Sequence, residues 1–158
     1  MCTNRQTLKT GAKRQNALIH KSTICYIRLR EDLKSPIGEP KLIFRGSDPY
    51  YIDKKPDGEH YITDGPFLYR TKEDELIMIW STFINGKYAQ CIAKSDNGEI
   101  DGTFIHLEPL ITNDGGHGMI FQADNALYLT YHSPNTTNKE RPIFKKIADN
   151  GDKIISAD

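Results

Sequence analysis

The chain has 158 residues, with 21 basic and 21 acidic side chains, a length suited to one ordinary domain. The balanced charge provides no basic surface for nucleic acid or an anionic membrane, and no run approaches the ~18 apolar residues of a membrane-spanning helix. Eight Tyr, six Phe, twelve Gly and eight Pro favour short strands and turns over long helices.

Residues 1–21 carry Arg5, Lys9, Lys13 and Arg14 but neither an apolar signal-peptide core nor strand periodicity, so an irregular N-terminal segment is expected there. Thr23 to Leu29 and Lys41 to Phe44 then read as two strands joined by Arg30 to Glu39. A complete series follows: strands at Pro66–Arg70, Leu76–Phe83, Lys87–Lys94 and Thr103–Leu107. The dipeptide Asn85-Gly86 is a strong hairpin signal between the second and third of them. The series restarts with Gly118–Phe121, a turn at Asp124-Asn125, Leu127–His132, Arg141–Ile147 and Lys153–Ser156.

Four strands repeating after about fifty residues are the mark of a β-propeller blade. A small antiparallel sandwich is the competing architecture. Continuous apolar second strands fit sheets packed between two neighbours. The expected fold is therefore all-β, an incomplete propeller of about two and a half blades over residues 22–158. A closed ring usually needs about 4 to 8 blades. The chain is thus expected to be part of a longer protein, with association as the other way to close the ring.

The three cysteines, Cys2, Cys25 and Cys91, have no metal-like spacing. Cys25 and Cys91 fall inside apolar strands, which suggests free thiols rather than a disulfide framework. No phosphate-binding loop or dinucleotide fingerprint is present, and Ser133 beside His132 has no oxyanion motif around it.

The residues with chemical promise lie at the entry of the two innermost strands. Asp64 precedes Gly65-Pro66, and His117 sits in Gly115-Gly116-His117-Gly118. Their near-equivalent places in adjacent blades put both at one channel mouth, close enough to share a sugar-sized ligand. Asp64 could serve there as a general acid or merely cap the Gly-Pro turn, and His117 could bind ligand or be a packed histidine. Phe67, Trp80, Tyr50 and Tyr51 could offer stacking faces to a sugar, although Trp80 follows three apolar residues and suits a core equally well. Asp48, Asp53 and Asp114 read as turn residues.

Several segments, in order, carry a family resemblance. They are Ile62-Thr63-Asp64-Gly65-Pro66-Phe67-Leu68-Tyr69, Ile77-Met78-Ile79-Trp80-Ser81, Gly86-Lys87-Tyr88-Ala89-Gln90, Ser95-Asp96-Asn97-Gly98, Gly116-His117-Gly118-Met119-Ile120-Phe121 and His132-Ser133-Pro134-Asn135. From about Ser22 onward the chain resembles glycoside hydrolase family 43, the five-bladed propeller arabinanases, arabinofuranosidases and β-xylosidases. The resemblance implies inverting hydrolysis of arabinose- or xylose-containing plant polysaccharides by three channel carboxylates. Asp64 matches the general-acid position, where the family usually carries Glu. His117 matches a channel histidine that in arabinan-active relatives lies near a water-coordinated calcium. The general base and the orienting Asp are implied to belong to blades upstream. A second expectation, from a different class, is a carbohydrate-binding or catalytically inert propeller remnant. The resemblance implies a family that is commonly secreted or periplasmic, while no signal peptide is expected in residues 1–21.

Overall fold

The computed structural model describes residues 22–53 and 61–157, so the expectation for residues 1–21 lies outside the described residues. Among the described residues there are ten strands and no helix, hence no helix long and apolar enough to cross a membrane. Strands β1 (Thr23–Leu29) and β2 (Pro36–Arg45) form a two-stranded antiparallel sheet. The middle sheet has the order β3 (Asp64–Arg70), β4 (Leu76–Ile84), β5 (Lys87–Ser95), β6 (Phe104–His106). The last sheet repeats it with β7 (Gly116–Ala123), β8 (Ala126–Ser133), β9 (Arg141–Asp149) and β10 (Ile154–Ser156).

Each four-stranded sheet is a meander whose first strand lies at one edge, and β3 and β7 lie against each other. This is the blade arrangement expected from the repeat, and the fold is an incomplete propeller. One local expectation needs correcting. The segment Arg30 to Glu39 is not all connection, because β2 begins at Pro36 and pairs back along β1, with Leu29 opposite Pro36.

The hairpin turns follow from their residues. Asn85 and Gly86 take φ of 49° and 74°, and Asp124 and Asn125 take 48° and 60°. Two successive positive φ values are the geometry whose twist matches that of the flanking strands.

Alternation along β4 and β5 divides the core into two layers. Leu76, Met78 and Trp80, with Ala89, Cys91 and Ala93, meet Ile24 and Phe44 of the two-stranded sheet. Ile77, Ile79 and Ile92 meet Ile120, Leu129 and Ile147 of the last sheet. Burial on both faces explains why Leu76 to Thr82 contains no exposed residue. Cys91 is a buried free thiol, with burial pushing its pKa up to about 12, while Cys25 is free and half-buried.

The two complete sheets are also fastened at the edge away from the Asp64 end of β3. The Asp149 carboxylate accepts from the Tyr69 hydroxyl at 2.9 Å and from the Lys72 N–H at 3.0 Å, and Thr71 Oγ1 donates to the Gly151 carbonyl. Burial, then the bond to Asp149, pushes the Tyr69 phenol up to about 12.

Candidate functional site

The first strands of the two complete sheets are broken at the same place. In β3 the register slips between Asp64, opposite Ser81, and Phe67, opposite Ile79. In β7 it slips between Gly116, opposite His132, and Met119, opposite Thr130. A bulge of this kind re-aims a side chain and ends regular pairing, and both bulges fall at the site. Gly65 takes φ 51° in one and His117 takes φ 57° in the other. The paired positions make His117 the counterpart of Gly65, one residue beyond Asp64.

The bulges bring the two sequence-predicted residues into direct contact. His117 Nδ1 lies 3.1 Å from Asp64 Oδ2. Their side chains are 47% and 33% exposed, so solvent or a ligand reaches both. Asp64 Oδ1 accepts from the Gly65 N–H at 2.9 Å, which is the turn-capping role, here combined with a free face toward solvent. Gly65 serves the contact in a second way. A Cβ there would stand 2.9 Å from the His117 ring, so only glycine lets the imidazole lie against β3.

Three residues of the site went unnoticed in the sequence. Tyr88 donates its hydroxyl to Asp64 Oδ2 at 2.8 Å. Ser81 Oγ accepts from the His117 N–H at 2.7 Å. Gln90 Oε1 accepts from the Gly118 N–H at 2.6 Å, while its Nε2 donates to the Trp80 carbonyl at 3.0 Å. Ser81 and Gln90 are wholly buried, polar residues embedded in two otherwise apolar strands. That interruption was their signal. On the face carrying Ile77 and Ile79, position 81 meets the bulged backbone of β7, whose N–H groups have left the ladder and need acceptors.

Beside the Asp64–His117 pair opens a cleft of about 560 Å³. Gly65, Pro66 and Phe67 of β3 line it together with Met119, Thr130 and His132 of the last sheet and Glu140, Arg141 and Pro142. Phe67 is half-buried, packed against the apolar layer between the two complete sheets and on the lining of the cleft.

Trp80, expected as a stacking face, does not line the cleft. It is 0% exposed, its ring 5.1 Å from Phe44, because alternation along β4 turns it away from the cleft and into the layer against β1 and β2. A fully enclosed indole offers no face to a sugar. Tyr50 is exposed, bonded through its hydroxyl to Glu108, and Tyr51 packs against the Trp80 layer. Asp48 accepts from the Arg45 N–H three residues back, the expected turn role, whereas Asp114 accepts from the Asn135 N–H, 21 residues on, and so ties the loop before β7 to the loop after β8. Ser133 donates to the Asp114 carbonyl and His132 Nε2 lies 3.1 Å from Asn135 Oδ1, so the two are separately engaged.

The calcium implied by resemblance would need about 6 to 8 oxygen ligands. Among the described residues no group of three His, Cys, Asp or Glu converges, and Asp64 Oδ2 already faces Tyr88 and His117. The described residues do not fit a calcium site by themselves.

Several solved structures share this fold. An endo-arabinase from Bacteroides thetaiotaomicron VPI-5482 is 35% identical, with a TM-score of 0.75 over 83% of this chain and 48% of that one. An exo-1,5-alpha-L-arabinanase from a bovine ruminal metagenomic library is 21% identical, with a TM-score of 0.61 over 85% and 49%. A thermostable family-43 glycoside hydrolase is 17% identical, with a TM-score of 0.69 over 87% and 48%. The chain thus spans about half the length of the solved chains it matches. No protein-family model and no curated protein matches it.

Proposed function

We propose that this chain, glycoside hydrolase family 43-like in its fold and in the chains it resembles, forms the acid-bearing part of an arabinan-type glycosidase. The observation that carries the reading is the contact between Asp64 and His117, two partly exposed groups held beside an open cleft by matched bulges. In this reading Asp64 protonates the departing glycosidic oxygen, and His117 and Phe67 contact the sugar. The substrate is an arabinose-containing polysaccharide, cleaved with inversion.

Inversion also needs a base that activates water from the opposite face, with the carboxyl groups ~6.5–9.5 Å apart. Asp48 and Asp114 are committed to backbone amides, and the carboxylate that lines the cleft among the described residues is Glu140. We assign the base to blades beyond the half-length that this chain matches in its relatives. Those blades would sit on the outer face of the last sheet, where Met119 and Phe144 stand exposed.

The test compares this chain alone with the same chain joined to the preceding blades, on aryl arabinosides and on arabinan. General acid–base assistance contributes ~10²–10⁴-fold per group, so the joined form should exceed the chain alone by about that factor. In the joined form Asp64→Asn should lose a similar factor on arabinan and spare substrates with activated aryl leaving groups, which depart without a proton. Full activity of the chain alone would move the base to Glu140. A joined enzyme indifferent to Asp64→Asn would remove that residue from the chemistry and leave the carbohydrate-binding reading.

A further inference from the structure

Tyr88 stands on β5 two positions before Gln90, on the face of the middle sheet that meets β7. Its ring is held from several sides. It stacks on His132 with centroids 5.3 Å apart and planes at 18°, and it tilts against Phe83 at 5.2 Å. A Cβ on residue 116 would come within 2.7 Å of the ring, so Gly116 is what admits it. The Tyr88 carbonyl accepts from the Gly115 N–H at 2.9 Å, tying the same strand to the loop that carries His117. A ring fixed in this way holds its hydroxyl against Asp64 Oδ2 at 2.8 Å, with the Ser81 hydroxyl as its other neighbour.

Asp64 has the opposite character. Its side chain is one methylene long, a third exposed, and rooted in a bulge. Apart from Tyr88, its carboxylate is held by the adjacent Gly65 N–H on Oδ1 and by the half-exposed His117 on Oδ2. The His117 backbone is tied to buried Ser81, but its ring, which meets Asp64, is half-exposed and has no such anchor. The Tyr88 ring is buried and held by packing.

We infer that Tyr88 is the positioning residue for Asp64, a rigid phenol that fixes the carboxylate in one rotamer at the edge of the cleft. The inference rests on the reading of Asp64 as the acid and deepens it. A reacting group displaced by about 1 Å can lose on the order of 10²-fold in rate, so a short carboxylate on a bulge gains from a partner locked by packing. Burial first, and then the bond to Asp64, holds the phenol well above its ordinary pKa. Tyr88 therefore remains a hydrogen-bond donor at every pH near neutrality and keeps its own proton.

Tyr88→Phe in the complete chain tests this, because the ring stays and only the hydroxyl goes. Upfield-shifted ring protons of His132 report that the stack survives, which separates loss of the bond from loss of the fold. Three-bond couplings across the Asp64 Cα–Cβ bond should show one rotamer in the parent protein and averaged values in Tyr88→Phe. In the form joined to the preceding blades, kcat on arabinan should fall about tenfold or more with KM within about twofold, the pattern of an interaction made in the transition state. An Asp64 rotamer unchanged by Tyr88→Phe overturns the inference, whatever the kinetics. An averaged rotamer with unchanged turnover keeps the positioning and removes Asp64 from the acid role, so the two failures are distinguishable.

Discussion

The middle and last sheets have the same four-strand plan and almost the same turns, yet their burial differs from end to end. In β4 seven consecutive residues are buried, whereas in its counterpart β8 only Leu129 is. Apolar content does not account for this, since β8 still carries Leu127, Leu129, Tyr128 and Tyr131. The middle sheet packs against β1 and β2 on one face and the last sheet on the other. Among the described residues the last sheet has a neighbour on one face only, and its other face shows Met119 and a cluster of Phe121, Tyr128 and Phe144. Position in the stack, rather than the strand's own composition, sets its burial. The site lies where the two sheets meet, built from the rigid one and the half-covered one.

Matched truncations measure the contrast. Trp80→Ala in the middle sheet removes a fully enclosed indole and should cost about 3–5 kcal/mol in denaturant unfolding. Phe144→Ala, at a ring 61% exposed on the outer face, should cost under about 0.5 kcal/mol in the isolated chain. Equal costs would break the comparison. A loss at Phe144 that appears only in the form joined to the preceding blades would sharpen it, by locating the missing neighbour on that face.

A smaller effect is expected at the seam. Gln90→Leu keeps the approximate volume but strips the Gly118 N–H of its acceptor and takes the side-chain donor from the Trp80 carbonyl. A buried polar group left unsatisfied costs about 1–3 kcal/mol. The change should also loosen β7 relative to β5, read as faster amide hydrogen exchange at His117 and Gly118 than at Leu129. Uniform acceleration over both sheets would mean that Gln90 stabilises the chain as a whole and has no special hold on the bulge.

The strand order, both positive-φ hairpins and the Asp64–His117 pairing were legible in the sequence because each depends on local pattern. Asn85-Gly86 encodes its own turn, and a fifty-residue echo places two loops in register. What was not legible depends on which face of a buried strand a residue takes and on what waits there. Trp80 and Ser81 are neighbours in one apolar run, yet one enters the core beside Phe44 and the other binds the His117 backbone. A strand buried on both sides loses the polar–apolar alternation that would have told them apart. Ser81 and Gln90 were still visible as polar interruptions. Tyr88 carried no such mark, since a tyrosine in an apolar strand reads as packing until its hydroxyl is traced to Asp64.

The smallest effect concerns the two histidines that the sheets place in opposite environments. His117 of the last sheet is half-exposed beside a carboxylate. His106 of the middle sheet stands edge-on to Phe44 at 4.7 Å and near Trp80 at 5.8 Å. Both of its ring nitrogens are buried without a hydrogen-bond partner among the described residues. Burial lowers the His106 pKa, with Asp48 opposing the shift. Unfolding exposes the ring to water, where it titrates near its ordinary ~6.5. Below that pH the unfolded chain binds a proton that the folded chain resists, so the unfolded state binds more protons and stability falls as pH falls. Above it both states are neutral and the group contributes no slope. Thermal midpoints taken between pH 8 and pH 5 should therefore decline more steeply in the parent protein than in His106→Phe. The same series in His117→Phe should keep the parent's slope from His106. A slope that vanishes with His117 and persists without His106 would reverse the assignment and place the acid sensitivity in the site rather than in the core of the middle sheet.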